Sequence, residues 1–387
     1  MKIRDARFTV VSVPYREYEY WAWGVREGVT AIIVEIEADN GVVGLGECVP
    51  FTDIGYAVEI LKSIKPLLIG EDPFNIEKIH YKVGSVGYHH VADLVFVGVE
   101  TALWDLVGKI LDKPLYKILG GEVRREVQFA PWLWIRQPKE MVEEALRFLD
   151  EGFNTFYIKV ALDPSGDIER VKAIREDLGD GVNIRVDANR GWTPSEAIRM
   201  INKLEKYDLE FVEEPTSSYG LKIVKQSVKV PIAAGDSAST PHEILQLITD
   251  RAADLYSHID PDLQGGILNA KKACAICEMA GIPVVAHTGV DLGIGVAAIL
   301  HLVASTPNFL YPNQTLYMRL DGDIITSPFE FKNGAIKVPE GPGLGVELDP
   351  RKVEVYKNIF RERGEFRAYG SKPPQEVGKI LPPRLWL

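Results

Sequence analysis

From Val127 onward, short apolar runs alternate with longer amphipathic segments. The runs are VQFAP, TFYIKV, NIRVDA, EFVEEP, PIAAGD, LYSHIDP, PVVAHT and FLYPN. Between them lie segments such as PKEMVEEALRFLDEG, DIERVKAIREDLG and TPSEAIRMINKLEKY, which read as amphipathic helices. Eight strands separated by helices, repeating every 25 residues or so (about one βα unit), predict an α/β fold with a (β/α)8-type barrel. Pro194 and Pro241 fall at helix starts, where a missing N–H costs little. The pattern before the barrel is different. TAIIVEIEADNGVVGLGECV reads as two strands around the turn Asp39-Asn40-Gly41. AVEILKSIKPLLIG and DLVFVGVETALWDLVGKILDKPLYKILGG follow as helices. In the second, Val95, Val99, Ala102, Leu106 and Ile110 form the apolar stripe, and Gly120-Gly121 ends it. Late in the chain, FEFKNGAIKVPEGPGLGVEL returns to a hairpin-like pattern with a turn at Asn333-Gly334. The expected organisation is an α+β N-terminal capping domain over residues 1–125, the barrel over 126–330, and a C-terminal segment, 331–387, that returns to the cap.

The barrel runs share a peculiarity at their ends. Lys159 closes the second, Asp187 the third, Glu213 the fourth and Asp236 the fifth. Asp260 closes the sixth, His287 the seventh and Asn313 the eighth. Strand tips at this end form the mouth of such a barrel, where active sites sit. Three carboxylates from neighbouring strands aimed at one point repel one another unless a cation screens them. A hard divalent ion with oxygen ligands resolves that, and Mg2+ is the natural choice for Asp187, Glu213 and Asp236. For any one of these acids alone, helix capping or pairing with a neighbour such as Arg190 explains it as well. Lys159 and His287 lie on opposite sides of the acid cluster, so the pair can work on the two faces of a carbon held between them. A nearby cation and partial burial make a lysine usable as a base. His287 gains orientation if Asp260 accepts its other ring N–H.

Composition narrows the partners. The chain has 387 residues, 46% hydrophobic and 26% charged, with a formal net charge of −11. Such a balance argues against nucleic acid, which wants clustered Lys and Arg. It leaves room for a small-molecule carboxylate, because a metal ion dominates the local field. MKIRDARFTV has neither an apolar h-region nor a small-residue cleavage site, so a cytoplasmic location is expected. No apolar stretch is long enough to span a membrane; GVAAILHLVA is short and contains His301. The cysteines are Cys48, Cys274 and Cys277. The last two form a CxxC inside AKKACAICEMAG, which reads as buried helix packing with reduced thiols.

On the strand-tip residues the chain resembles the enolase superfamily, mandelate racemase subgroup, which uses a Lys or His base with Mg2+. The resemblance spans nearly the whole chain. It implies one Mg2+ per subunit on Asp187 of VDAN, Glu213 of VEEP and Asp236 of GDS. It implies a base at Lys159 and an Asp–His dyad at Asp260, set before Gly265-Gly266, and His287. There are departures. The family's second strand reads Lys-x-Lys, whereas here Tyr157 precedes Ile158-Lys159. Tyr157 can donate a hydrogen bond to substrate but brings no charge. The eighth tip falls on Asn313, with Tyr311 and Gln314 as rivals. Asn189 is expected beside the substrate.

The resemblance implies abstraction of the proton next to a carboxylate. Dehydration of a sugar acid to a 2-keto-3-deoxy acid is the leading expectation, of the glucarate or galactarate dehydratase type. The alternatives are racemisation or epimerisation of a 2-hydroxy acid, and an inert binding member. Either Lys159 or His287 could remove the proton, depending on substrate configuration. The segment YREYEYWAWG places Tyr20, Trp21 and Trp23 where they could close over the mouth or merely pack the cap. His89 and His90 could also reach it. A homo-oligomer is implied by the family.

Overall fold

The computed structural model describes residues 1–21, 24–50, 52–84 and 93–367. The chain opens with an antiparallel sheet of β1 (Ile3–Trp21), β2 (Gly24–Ala38) and β3 (Val43–Cys48). Helices α1 (Ile54–Leu68), α2 (Ile76–Gly84), α3 (Asp93–Leu111) and α4 (Leu115–Ile118) follow. One face of the sheet packs on them through Ile32, Val34, Ile36, Leu61, Phe96, Ala102 and Leu106. Contact is close because Gly46 and Gly98 face each other: a Cβ on Gly46 would sit 1.8 Å from the Gly98 carbonyl oxygen.

The barrel runs β4 (Glu126–Leu133), α5 (Pro138–Asp150), β5 (Thr155–Lys159), α6 (Pro164–Leu178), β6 (Asn183–Asp187), α7 (Pro194–Leu204), β7 (Leu209–Glu213) and α8 (Ser218–Ser227). It continues with β8 (Ile232–Ala234), α9 (Pro241–Asp250), β9 (Leu255–Tyr256), α10 (Pro261–Gln264), α11 (Ile267–Met279), β10 (His287–Thr288), α12 (Gly293–Ala304) and β11 (Asn313–Thr315). The strands pair in parallel in the order β10-β11-β4-β5-β6-β7-β8-β9. A bridge from Tyr256 to Val284 closes the ring. Strands β4 to β8 are largely apolar because helices cover the sheet outside and side chains fill it inside, while the short β10 and β11 are polar. Proline opens α5, α6, α7, α9 and α10, each time after a residue in extended conformation. Cys274 and Cys277 are free and buried in α11, where burial pushes both thiols up. Among the described residues no helix is long and apolar enough to cross a membrane.

The C-terminal segment divides its contacts. Asn333 and Gly334 both have positive φ and make the expected turn. The strand after it, β12 (Ala335–Lys337), pairs antiparallel with β4 of the barrel and not with the cap sheet. The chain then reaches the cap. Leu344 donates to Asp105 at 2.7 Å, and beyond α13 (Pro350–Arg363) Phe366 donates to Thr30 Oγ1 at 2.8 Å.

Two cap carboxylates fasten the cap to the mouth side of the barrel. Glu47 of β3 accepts from Leu292 and Gly295 at the start of α12, at 2.6 and 2.9 Å. Glu100 of α3 accepts from Leu268 at the start of α11, at 2.9 Å. Each supplies an acceptor to helix N–H groups that have none within the helix. His301 ties the same parts together from inside. Its Nδ1 accepts from the Tyr116 N–H at 3.2 Å and its Nε2 lies 3.1 Å from the Leu344 carbonyl.

Burial holds His301 down to about 4. A depressed histidine lends stability above the unfolded value and loses it as pH falls towards the folded value. Between pH 7 and pH 5 this site should cost the fold about 2 kcal/mol, taking the unfolded pKa as about 6.5. Urea unfolding of wild type and His301→Gln at both pH values checks this. The gap between the two proteins should narrow by that amount at pH 5, and an unchanged gap would contradict it.

Candidate active site

The parallel register puts Lys159, Asp187 and Glu213 side by side at the strand ends. Asp236 follows two residues after β8. A cavity of about 240 Å³ opens over these tips and is lined by Lys159, Asp187, Glu213, Asp236, His258 and His287, among others. Trp21 and Arg26 close it from the cap. A larger depression, about 610 Å³, lies under the C-terminal segment, and its lysines Lys109 and Lys337 are both paired with acids.

Asp187 is the most heavily held of the acids. Its Oδ2 accepts from the Tyr157 hydroxyl and from Lys159 Nζ, the latter at 2.6 Å, and its Oδ1 from the Asn189 N–H at 2.7 Å. Asn189 Oδ1 holds Lys159 Nζ from the other side at 3.1 Å. The chain turns here through Asn189 and Arg190, both at positive φ, and Glu214 on the next tip is also at positive φ. Such strained tips cluster where geometry is constrained by function. Lys159 Nζ lies 4.0 Å from the centre of the Trp132 ring, and the His287 ring is 4.8 Å from the same ring.

Glu213 shows the repulsion expected among these carboxylates. Burial and the charge of Asp187 push Glu213 up to about 8. Gln314 Nε2 donates to Glu213 Oε2 at 2.6 Å. Beside Glu213 Oε1 there is room only because residue 235 is glycine; a Cβ there would stand 2.7 Å away. Burial alone would raise Asp236, but the hydrogen bond and charge of His258, with Arg190, turn the net shift downward. Two buried acids and the half-buried Asp236, all oxygen donors gathered on one cavity, fit a hard divalent cation.

The residues expected beside the acids fall less regularly. Asp260 does not hold the His287 side chain. Its carboxylate caps α10 through the Leu263 N–H at 3.0 Å, and its Oδ2 lies 3.2 Å from Nε2 of His258. His258 interposes itself because it stands two residues before Asp260, on the same face of an extended chain. The orientation of His287 is set instead by the Gly289 N–H, which donates to its Nδ1 at 3.1 Å. Burial, then the charges of His258 and Lys159, hold His287 well below the usual histidine range, so it is neutral. Opposing influences lift His258 to about 9: burial lowers it, but Asp260 and Asp236 overcome that.

Three more expectations need correction. Asn313 starts β11 instead of ending it, and its side chain is spent on the Ala286 N–H at 2.8 Å and the Gln128 carbonyl at 3.3 Å. The next residue, Gln314, is the one that reaches the acids. The hydroxyl of Tyr157 is committed to Asp187. Tyr20 is half-buried and absent from the cavity wall, because it alternates with Glu19 and Trp21, which face inward. Trp23, His89 and His90 lie outside the described residues. The sequence reading also missed Arg26 and Trp132; neither stands at the end of an apolar run, the signal that marked the others.

The family described as "Enolase C-terminal domain-like" matches residues 140–352, and "Mandelate racemase / muconate lactonizing enzyme, N-terminal domain" matches residues 6–120. The chain belongs to the enolase superfamily. A hydrophobic dipeptide epimerase of Enterococcus faecalis is 32% identical over 89% of this chain and 99% of its own. The crystal structure of the dipeptide epimerase from that organism, complexed with Mg and the dipeptide L-Leu-L-Tyr, superposes with a TM-score of 0.85 over 90% of this chain and 100% of that one. An arabinonate dehydratase of Saccharolobus solfataricus is 33% identical over 84% of this chain and 90% of its own. An N-succinyl-L-Arg/Lys racemase of Bacillus cereus is 28% identical over 93% of this chain and 100% of its own.

Proposed function

We propose that this chain is a Mg2+-dependent enzyme that moves a proton on and off the carbon next to a substrate carboxylate, with epimerisation or racemisation as the net reaction. The observation that carries this is the pair of proton-transfer groups, Lys159 and His287, both packed on Trp132 in the cavity that gathers the three acids. Asp187, Glu213 and Asp236 would hold the ion. When bound, Mg2+ supplies positive charge beside the substrate carboxylate and so lowers the cost of negative charge developing there.

The chain's own residues do the rest. Asp187 and Asn189 aim the Lys159 amine. His287, half-buried and neutral, can accept a proton on the other face. Trp21 and Trp132 wall the cavity and limit water at the reacting carbon. Two bases and one carbon give inversion without any leaving group. The epimerase and racemase relatives support a dipeptide or an N-acylated amino acid as the substrate class. A second reading, elimination of water from a sugar acid, rests on the similarity to the arabinonate dehydratase.

Incubation with Mg2+ in D2O, followed by NMR, separates these readings. With dipeptides and N-acylated amino acids, deuterium should enter the α-position as the opposite configuration appears, with no 2-keto product. Formation of a 2-keto-3-deoxy acid from a sugar acid, without exchange into the amino-acid substrates, would replace the first reading with the second. Exchange into none of them would leave a binding protein.

A further inference from the structure

His258 was not among the strand-tip residues that the sequence marked, and proton transfer by Lys159 and His287 does not use it. It is nevertheless buried at the centre of the site. Its Nδ1 lies 3.2 Å from Oδ1 of Asp236, and its Nε2 lies 3.2 Å from Oδ2 of Asp260. Its ring centre is 4.0 Å from that of His287. One nitrogen of each imidazole and one oxygen of Asp260 fall within 4.8 Å of one another. We infer that His258 is a positioning residue, an imidazole strut that fixes Asp236 for the metal with one nitrogen and, with the other, braces Asp260 and the His287 ring tilted against it. The inference rests on the proposed role of Asp236 as a metal ligand.

The physical case is one of unmet needs on both sides. Asp236 is half-buried, and its other cationic neighbour, Arg190, stands off at 3.7 Å. A carboxylate ligand that swings freely binds poorly, and its outer hydrogen bond orients it. Asp260 is fully buried, and a buried carboxylate needs a donor at each oxygen that faces the interior. The Leu263 N–H serves Oδ1, whereas Oδ2 receives no hydrogen bond and has the His258 ring set against it, with Nε2 at 3.2 Å as an ion-pair contact. The backbone N–H of His287 also favours the charged Asp260 carboxylate, so the group that His258 braces neighbours the start of β10. One ring therefore couples the metal side of the site to the proton-transfer side.

Amide side chains divide the two functions. The amide nitrogen of asparagine sits near the position of Nδ1 and that of glutamine near Nε2, so each can keep one arm of the strut. Wild type, His258→Asn, His258→Gln and His258→Phe would be titrated with Mg2+ by calorimetry and assayed for α-proton exchange in D2O with each substrate enantiomer. Circular dichroism and urea unfolding would establish that each is folded. His258→Asn should keep Mg2+ affinity and lose exchange on the enantiomer served by His287, through kcat and with KM unchanged. His258→Gln should lose about 10- to 100-fold in Mg2+ affinity, the range for a removed outer partner. His258→Phe should show both losses. Wild-type Mg2+ affinity in folded His258→Phe, or identical behaviour of the Asn and Gln variants, would overturn the strut. A wild type that does not bind Mg2+ would instead overturn the metal reading, and the strut with it.

Discussion

Glu213→Gln should abolish Mg2+-dependent turnover while leaving the fold intact. The substitution keeps the shape and removes the charge. It also creates a conflict. Gln314 Nε2 donates to Glu213 Oε2 at 2.6 Å, so a carbonamide in that place must turn its oxygen toward Gln314 and its NH2 toward the ion. Burial and the nearby Asp187 already make the site costly for an uncompensated carboxylate, so loss of the charge removes attraction for the cation without endangering stability. A metal ion contributes several kcal/mol of charge stabilisation, which corresponds to a fall of at least about 10³ in kcat/KM. Calorimetric titration with Mg2+ and steady-state kinetics check this together. In wild type, EDTA should remove activity and added Mg2+ restore it. Undiminished turnover by the variant without added metal would remove Mg2+ from the reaction.

Lys159→Met and His287→Asn should each stop the net reaction and yet differ from each other. Inversion needs both faces of the α-carbon, so loss of either base should cost at least about 10²-fold, the low end for a positioned acid–base group. Exchange needs only one face. Lys159→Met should still wash deuterium into the enantiomer whose proton faces His287, and His287→Asn into the other. Methionine approximates the lysine stem and keeps the contact with Trp132, so the loss reports on the amine and not on packing. Separate NMR assays on each enantiomer decide the matter. Two folded, metal-bound variants that invert substrate at wild-type rates would show that neither side chain handles the proton.

Much of this site could be read along the chain because barrel strands are short and regular. An apolar run that ends in an acid marks a strand tip, and parallel register brings successive tips together. Lys159, Asp187 and Glu213 were located in this way without knowledge of any contact. Asn313 was misplaced because FLYPN and NQT are equally plausible strands by composition, and moving the strand start shifts the tip. The register with β4, Asn313 opposite Phe129, is a property of the closed ring. Tyr20 was misplaced for a related reason: aromatic residues crowd YEYWAW, and only the sheet decides which of them face the barrel.

What the sequence determined by itself is the alternation of elements, the closed parallel barrel and the convergence of acids on one mouth. These follow from local periodicity and from chemistry at fixed intervals, which need no distant partner. Which side chains touch was decided only by tertiary structure. Asp260 was expected to hold His287, but an extended backbone carries His258 on the same face two residues earlier, nearer to both Asp236 and Asp260. Two carboxylates from different strands meet one ring, each 3.2 Å from a different one of its nitrogens. Spacing along a chain carries no information at that scale, because it is the packing of the whole barrel that sets it.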